Sequence, residues 1–320
     1  MATRKAPQIG LFASDDLDPP LAFDDEKRLA ARLPGSIRLG TSSWTYPGWK
    51  GLVYPRAMSA RDLVDEGLVH YCRHPLFRSL GVDRFFYDAP KQAEIDAMAE
   101  NLPEDFPIVV KVWSAYTSPV THGKEEPSAR FLDPDAFARE MLVPFGRLLA
   151  RTTFLFEFSP QSERHQIPAP DFAARLGEFL GALPGGPRYA VELRERRLFT
   201  RRYLRTLSEH GVAHVLNYWG RMPTVGEQLG AEGVLTAPFV VARLLLRPGT
   251  SYEELETSYA PFNRIVDVDE AMRADTAALA ARCLDEGREL TVLVSNKVEG
   301  AGPLTVRALA ERIAAVNEPR

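Results

Sequence analysis

Charged and polar side chains recur near the ends of several short apolar segments, and their residue types could perform acid/base or anion-binding chemistry. Where such a segment is a β-strand, alternate residues face the same side. On this alternation one face carries six polar residues, which are Lys111, Glu157, Glu192, Arg194, Arg243 and Asn296. Three cations and two carboxylates give a formal charge of +1. Because burying an unpaired charge costs several kcal/mol, these groups must pair with each other or with a ligand.

Glu157 and Glu192 are the candidate acid/base pair. Neighbouring strands lie about 4.8 Å apart, so the two carboxylates could approach the ~5–5.5 Å spacing found in retaining glycosidases. In this interpretation Glu192 is the acid/base, and Glu157 or His122 is its partner. His122 lies in a long connection, AYTSPVTHGKEE, that could hang over the site.

Lys111, Arg194 and Arg243 could hold an anionic substrate beside those carboxylates. Two alternatives remain open at this point. Lys111 or Arg194 could neutralise both carboxylates and leave a network without catalytic function. A lysine among carboxylates could also serve as a base or as a Schiff-base nucleophile.

The stretch GTSSWTYPGWKGLVYP, residues 40–55, places Trp44, Tyr46, Trp49 and Tyr54 within eleven residues. Aromatic rings on a loop above a site can stack on sugars or bases, which makes Trp44 and Tyr46 candidate substrate-binding residues. The alternative is a hydrophobic plug that caps the domain.

The spacing of the histidines and cysteines matches no metal-binding motif, and we expect neither a metal nor a cofactor. A metal held by Glu157, Glu192 and His122 would need fortunate geometry. A dense run of arginines spans residues 188–205 and could bind phosphate or RNA, or form a solvated helix face. The net charge of −4 argues against a nucleic-acid partner.

Strand-like and helix-like segments alternate from about residue 36 to the end of the chain. Amphipathic stretches at 133–150, 171–183 and 269–286 predict helices, with Asp133 and Asp171 at N-cap positions. The predicted strands are Ile37–Thr41, Val82–Tyr87, Ile108–Trp113, Thr153–Phe158, Tyr189–Arg194, Ala213–Asn217, Val240–Leu245 and Thr291–Ser295. Eight strands with intervening helices predict a single-domain α/β fold, a TIM-type (β/α)₈ barrel, with an open doubly wound sheet as the alternative. In such a barrel the carboxyl ends of the strands meet at one mouth, where the polar residues above would line a pocket.

The 320 residues suit one such barrel, preceded by a polar, proline-bearing segment. We therefore predict a flexible N-terminal tail over residues 1–35, with a short helix near Asp24–Arg32, and a barrel domain over 36–320. The longest apolar stretch, Ala237–Leu246, is too short to span a bilayer, so no membrane association is expected. With no signal-like N-terminus and only two cysteines, a cytoplasmic location is the default expectation.

The stretch IRLGTSSWTYPGWKGLVYP resembles the opening motif of the YecE-like family, also called the domain of unknown function 72 family. Weaker similarities follow in order along residues 37–307. They are Phe86, Tyr87 and Pro90; Lys111 with Thr121 and His122; the segment AVELR at Ala190–Arg194; and Arg243 with Asn296. The resemblance implies a TIM-type barrel with a polar pocket at its mouth, and it adds Tyr87 to the candidate ligand contacts. It implies no particular reaction.

The chain departs from the family pattern at three places. Gly81-Val82-Asp83 stands where the family usually has Glu-x-Asn, Glu157 where glutamine is common, and Lys297 where a second asparagine is frequent. These differences imply a ligand unlike that of other members, or the loss of an ancestral one.

Three functions remain open from the sequence. The first is a metal-independent enzyme, hydrolase- or isomerase-like, acting on a small anionic or carbohydrate-like molecule. The second is a non-catalytic binding or regulatory protein that uses the same pocket. The third is a nucleic-acid-associated protein. The oligomeric state cannot be predicted.

Overall fold

The computed structural model describes residues 21–121 and 126–317. Within them, eight parallel strands form a closed barrel in sequence order, with the last strand pairing back to the first. The strands are β1 (Ile37–Thr41), β2 (Ser79–Val82), β3 (Ile108–Lys111), β4 (Thr152–Phe158), β5 (Arg188–Leu193), β6 (Ala213–Tyr218), β7 (Phe239–Leu244) and β8 (Glu289–Val294). The closed order confirms the TIM-type barrel and excludes the open sheet.

Helices surround the barrel and connect its strands. They are α1 (Asp24–Arg32), α2 (Ala60–Asp65), α3 (Gly67–Arg73), α4 (Gln92–Asn101), α5 (Pro134–Phe137), α6 (Ala169–Ala182), α7 (Arg201–Glu209), α8 (Val225–Leu229), α9 (Tyr252–Tyr259), α10 (Glu270–Asp285) and α11 (Gly302–Val316).

The helix predicted over 133–150 is broken. Asp133 caps α5 as expected, but a π-helical turn and a 3₁₀ turn follow α5, because Pro144 removes a backbone donor in the middle of the stretch. The predicted N-cap at Asp171 is also wrong, since α6 already begins two residues earlier, after Pro168.

Period-2 alternation sorts the strand residues into two layers, as expected. Phe154, Phe156 and Phe158 of β4 face outward and pack their rings on helical phenylalanines at centroid distances of 5.7, 5.2 and 4.9 Å. Leu155 faces inward and belongs to a separate cluster that fills the barrel, with Val109, Ala190, Ala213, Val215, Ala237, Val241 and Leu293. Glu157 continues this inward face at the carboxyl end of β4, so alternation alone directs it toward the barrel axis.

The second strand was predicted too late in the sequence. Val82–Tyr87 is rich in aromatic residues, but the strand ends at Val82 and a 3₁₀ turn follows over Arg84–Phe86. Phe85 leaves the sheet and packs edge-on against Phe145, with centroids 5.9 Å apart. Asp83 therefore follows the strand directly and lies at the barrel mouth.

A 25-residue excursion connects β7 to α10, over residues 245–269, and carries α9. Its residues Leu246, Leu255, Tyr259 and Phe262 form a small hydrophobic cluster of their own. Tyr46 and Trp219, from the connections after β1 and β6, pack against this cluster. The excursion therefore lies on one side of the barrel mouth.

The helix expected in the N-terminal segment is present as α1, and it packs against α11. Leu29 and Leu33 are buried, and Glu26 pairs with Arg307 at 2.9 Å. The boundary between tail and barrel domain stays a prediction, since residues 1–20 lie outside the described residues.

No helix in the described ranges combines the length and apolar character needed to cross a bilayer. Cys72 and Cys283 are free thiols. The cytoplasmic location stays a prediction.

Candidate functional site

Five charged side chains from neighbouring strand ends converge at the barrel mouth. Parallel pairing sets Glu157 directly beside Glu192, and Asn217 beside Arg243. Lys111 ends β3, and Arg194 follows β5. All of these side chains except Lys111 are buried, and Lys111 is only 12% exposed.

The Glu157 carboxylate accepts from three donors. Lys111 contacts one of its oxygens, Arg194 donates from Nη2 at 3.2 Å, and the Ser159 hydroxyl donates at 2.7 Å. Burial raises the pKa of the Glu157 carboxyl, but Arg194 and Lys111 more than offset it and bring the pKa down to about 2. Glu157 is therefore ionised at neutral pH.

The Glu192 carboxylate is fully buried and is surrounded by barrel donors. Arg194 Nε and Arg243 Nη1 each lie 2.7 Å from it, and Asn217 Nδ2 donates at 3.1 Å. Burial raises its pKa, while Arg194 and Arg243 lower it, and the net direction is downward. With 0% exposure, Glu192 does not reach a ligand in this conformation.

Asp83 supplies a third carboxylate that the charge count from sequence left out. It pairs with Arg243 Nη2, and its side chain is 38% exposed. Burial lowers the pKa of Arg243, but Asp83 and Glu192 raise it by more than burial lowers it. The net direction is upward, so the guanidinium stays charged. The network therefore contains three cations and three carboxylates, which are Lys111, Arg194 and Arg243 with Asp83, Glu157 and Glu192. Its formal charge is zero, whereas the count from sequence without Asp83 gave +1.

The ion pairs bear on two of the sequence-based interpretations, acid/base catalysis and a neutralised network. Arg194 donates a hydrogen bond to Glu157 and forms an ion pair with Glu192, so it bridges the two carboxylates in the ligand-free protein. Both carboxyls have lowered pKa values, so neither stores a proton at neutral pH for use as a general acid.

Asn217 is a site residue that the sequence analysis missed. Its Nδ2 donates to Leu193 O at 2.7 Å as well as to Glu192. The backbone pairing of β5 with β6 covers only Ala190 and Val191, so this side-chain amide connects the two strands beyond their paired residues. Gln228 clamps the Asn217 backbone, donating from Nε2 to its carbonyl at 2.7 Å. Strand parity could have found Asn217, because it shares the inward face of Val215.

Aromatic rings lie over the cations at the mouth. The Phe86 ring centroid is 3.4 Å from Lys111 Nζ, and the Trp219 centroid is 4.0 Å from the Arg194 guanidinium carbon. Tyr87 is 72% exposed and sets its ring edge-on against Phe86, with centroids 5.2 Å apart. These rings form an aromatic rim around the charged network.

Three of the four aromatic residues in the first loop are buried. They are Trp44, Trp49 and Tyr54, and Trp44 donates from Nε1 to Leu63 O at 3.1 Å. For these residues the loop is the hydrophobic plug of the alternative interpretation. Tyr46 is half-buried and packs on Phe262 of the excursion at 5.6 Å.

Asn296 is not part of the central network. Its Oδ1 accepts from Trp49 Nε1 at 3.1 Å and from the Gly302 backbone at 2.7 Å, so it caps the start of α11. The reason is parity at the end of β8, where Leu293 faces the barrel interior and Val294 faces the outer layer. His122 lies outside the described residues.

The arginine run does not form one continuous basic face. Arg188 pairs with Glu289 at the amino ends of the strands, while Arg194 lies at the opposite end of the barrel. Among the described residues, no group of three or more His, Cys, Asp or Glu side chains is placed to hold a metal ion.

Comparisons with known proteins agree on the fold. The family model described as "Protein of unknown function DUF72" matches residues 38–320. The crystal structure of a DUF72 family protein of Enterococcus faecalis is 16% identical, with a TM-score of 0.62, covering 87% of this chain and 95% of the other. A DUF72 family protein of Thermotoga maritima is 17% identical, with a TM-score of 0.59 and coverages of 88% and 99%. A search of the curated proteins found no match.

The family model covers nearly the whole barrel, and both solved structures share its fold. The resemblance carried by the first loop is therefore confirmed, and the chain belongs to the DUF72 family, which is the YecE-like family.

Proposed function

We propose that the barrel mouth binds a small carbohydrate-like molecule and performs metal-independent acid/base chemistry on it. The observation that carries the proposal is the charge-balanced network, whose accessible edge consists of Asp83 and Lys111. Hydroxyl groups both donate and accept hydrogen bonds, so a polyhydroxylated ligand suits an edge that offers a carboxylate beside an ammonium.

The charge balance favours a carbohydrate-like ligand over a simple anion at this edge. The guanidiniums of Arg194 and Arg243 are already paired with buried carboxylates, and the network has no net charge with which to attract an anion. The half-buried Trp219 and Phe86 rings lie beside the same edge, where they can pack on the apolar face of a sugar.

Glu157 and Lys111 are the residues we assign to proton transfer. Lys111 is the most exposed cation of the network, at 12% against 7% for Arg194 and 1% for Arg243. Lys111 is also one of the groups that lower the Glu157 pKa. A ligand hydroxyl that binds the Lys111 ammonium in place of Glu157 therefore raises the pKa of Glu157 and makes its carboxylate a stronger base. Glu157 then accepts a proton from the ligand, and Lys111 donates one to it.

Glu192 takes a positioning role in this proposal instead of the acid/base role expected from sequence. It has no exposed surface and orients Arg194 and Arg243, which in turn hold Glu157 and Asp83.

A non-catalytic binder is the second candidate function. The Arg194 bridge between Glu157 and Glu192 favours it, because both carboxyls are engaged and have lowered pKa values in the ligand-free protein. The same pocket would then bind its ligand without turnover.

The test is ligand-detected NMR with a panel of glucose, galactose, mannose and their disaccharides. Lys111→Met removes the ammonium at the mouth, and Lys27→Met is the matched control, since Lys27 lies exposed on α1. We expect the wild type and Lys27→Met to bind at least one sugar and Lys111→Met to bind it more weakly. Equal binding by Lys111→Met, or no binding by any protein, contradicts the proposal.

The same NMR samples separate the two candidate functions. An enzyme converts the bound sugar over hours, and Glu157→Gln binds it without conversion. Binding by the wild type without any product signal favours the non-catalytic function.

A further inference from the structure

Lys297 is a buried cation at the mouth that the proposed chemistry does not use. It follows β8 and its side chain is 3% exposed. Its Nζ lies 2.5 Å from the Glu256 carboxylate of α9 and 3.9 Å from the Tyr252 ring centroid. The excursion thus supplies the charged partner and an aromatic wall for this ammonium.

Tyr46 connects Lys297 to the central network. Its ring packs on Phe262, which itself lies 5.3 Å from Lys297 Nζ. Burial raises the pKa of Tyr46, Lys297 lowers it, and Asp83 raises it. The Tyr46 hydroxyl therefore interacts electrostatically with both Lys297 and Asp83.

The partner of Lys297 differs from the partners of the barrel cations. Arg194, Arg243 and Lys111 pair with Glu157 and Glu192, which are 5% and 0% exposed and project from strands, and Arg243 pairs in addition with Asp83. Glu256 is 49% exposed and projects from a surface helix. Because Glu256 is half exposed and Lys297 has no second carboxylate partner among the ion pairs of the described residues, an incoming carboxylate can replace Glu256 on Lys297.

The base of the excursion is fastened separately. Arg247, near its start, pairs with Asp267 and Asp269, near its end, and Tyr218 donates to Asp269 at 2.6 Å. Glu256 can therefore leave Lys297 without detaching the excursion from the barrel.

We propose that Lys297 determines specificity by binding a carboxylate carried by the carbohydrate-like ligand, and that Glu256 occupies this place when the ligand is absent. The ligand class is then a sugar acid, whose hydroxyls meet Asp83 and Lys111 while its carboxylate displaces Glu256. The inference rests on the proposed function, since it adds a second contact to the same site.

The experiment compares glucuronate, galacturonate and mannuronate with glucose, galactose and mannose, since each pair differs at one carbon. Dissociation constants are measured by NMR titration for the full chain and for Glu256→Gln, Lys297→Gln and Glu253→Gln. Glu253 is exposed on the same helix, so Glu253→Gln controls for the charge change.

We expect the wild type to prefer a uronate over its neutral partner. Glu256→Gln should bind that uronate about two- to fivefold more tightly, because the uronate no longer has to displace a half-exposed carboxylate from Lys297. Lys297→Gln should lose the preference and still bind the neutral sugar, and Glu253→Gln should behave as the wild type.

Neutral sugars that bind as well as uronates, with no effect of Glu256→Gln, overturn the role of Lys297 and leave the proposed function standing. A failure of every sugar and uronate to bind any of the four proteins overturns both.

Discussion

Replacing Glu192 with glutamine should destabilise the fold far more than the same change at Glu289. Glu192 is fully buried and lies 2.7 Å from each of Arg194 and Arg243. Glutamine keeps the shape but removes the negative charge, so two buried guanidiniums share one carboxylate fewer. Breaking a buried pair in this way costs about 3–5 kcal/mol.

Glu289 provides the matched control at the other end of the barrel. It also faces two arginines, Arg38 at 2.9 Å and Arg188 at 2.5 Å, but its side chain is 36% exposed. Solvent screens these contacts, and each exposed pair is worth about 0.2–1 kcal/mol.

Thermal unfolding followed by circular dichroism measures the difference. The unfolding entropy of 320 residues is about 0.67 kcal/mol/K, so we expect Glu192→Gln to lower the melting temperature by about 4–8 °C and Glu289→Gln to lower it by at most about 3 °C. The double variant Glu192→Gln/Arg243→Met removes one charge of each sign and so restores the charge balance of the network. Water can solvate the partly exposed Asp83 that loses its partner. The double variant should therefore lose less free energy of unfolding than the two single variants added together. Equal melting temperatures for the two glutamine variants would refute the buried-network reasoning.

Three further predictions address the network and the excursion. The folded-state pKa of Glu157 is about 2, below its ordinary value of 4.5, so the ionised carboxylate stabilises the wild type above pH 4.5 and this stability is lost as the pH falls toward 2. Urea titrations at pH 5 and pH 2 measure this loss of unfolding free energy, and it should be about 3 kcal/mol smaller in Glu157→Gln than in the wild type. A Cβ at Gly48 would lie 1.6 Å from the Pro261 carbonyl oxygen, so Gly48→Ala should speed amide exchange in α9 severalfold, whereas Gly35→Ala, with no atom within 4 Å, should not. Asn217→Ala leaves Leu193 O and Glu192 short of a donor and should cost about 1–3 kcal/mol in the free energy of unfolding, and an unchanged value would mean that water replaces the amide.

Strand parity predicted most of the network from sequence. Lys111, Glu157, Glu192 and Arg243 share the inward face of regular strands, where period-2 alternation holds up to the last residue. Asn296 was assigned to the wrong face, because Leu293 of β8 faces the barrel interior and Asn296 shares the outward parity of Val294. The sequence does not tell which parity of β8 faces the interior, because both of its faces carry apolar residues.

Asp83 could not be placed from the sequence because the aromatic segment around it was mistaken for a strand. High β-propensity at Phe85 and Phe86 outweighed the weaker pattern of Ser79–Val82, in which Gly81 supplies no side chain. Identifying the true strand end depends on its pairing with β1 and β3, which is a tertiary property.

The contact between Lys297 and Glu256 also lies beyond sequence reasoning. The two residues are 41 positions apart in the chain, and Glu256 belongs to a short helix within a connection. Only the folding of the excursion onto the mouth brings them together.

The most direct test of the proposed site is a crystal structure of the full chain soaked with glucuronate. The account predicts electron density for the sugar at the barrel mouth, with hydroxyls within hydrogen-bond distance of Asp83 and Lys111 and the carboxylate on Lys297 in place of Glu256. Density confined to other surfaces, or a mouth in which Glu256 still pairs with Lys297 at saturating glucuronate, would contradict it.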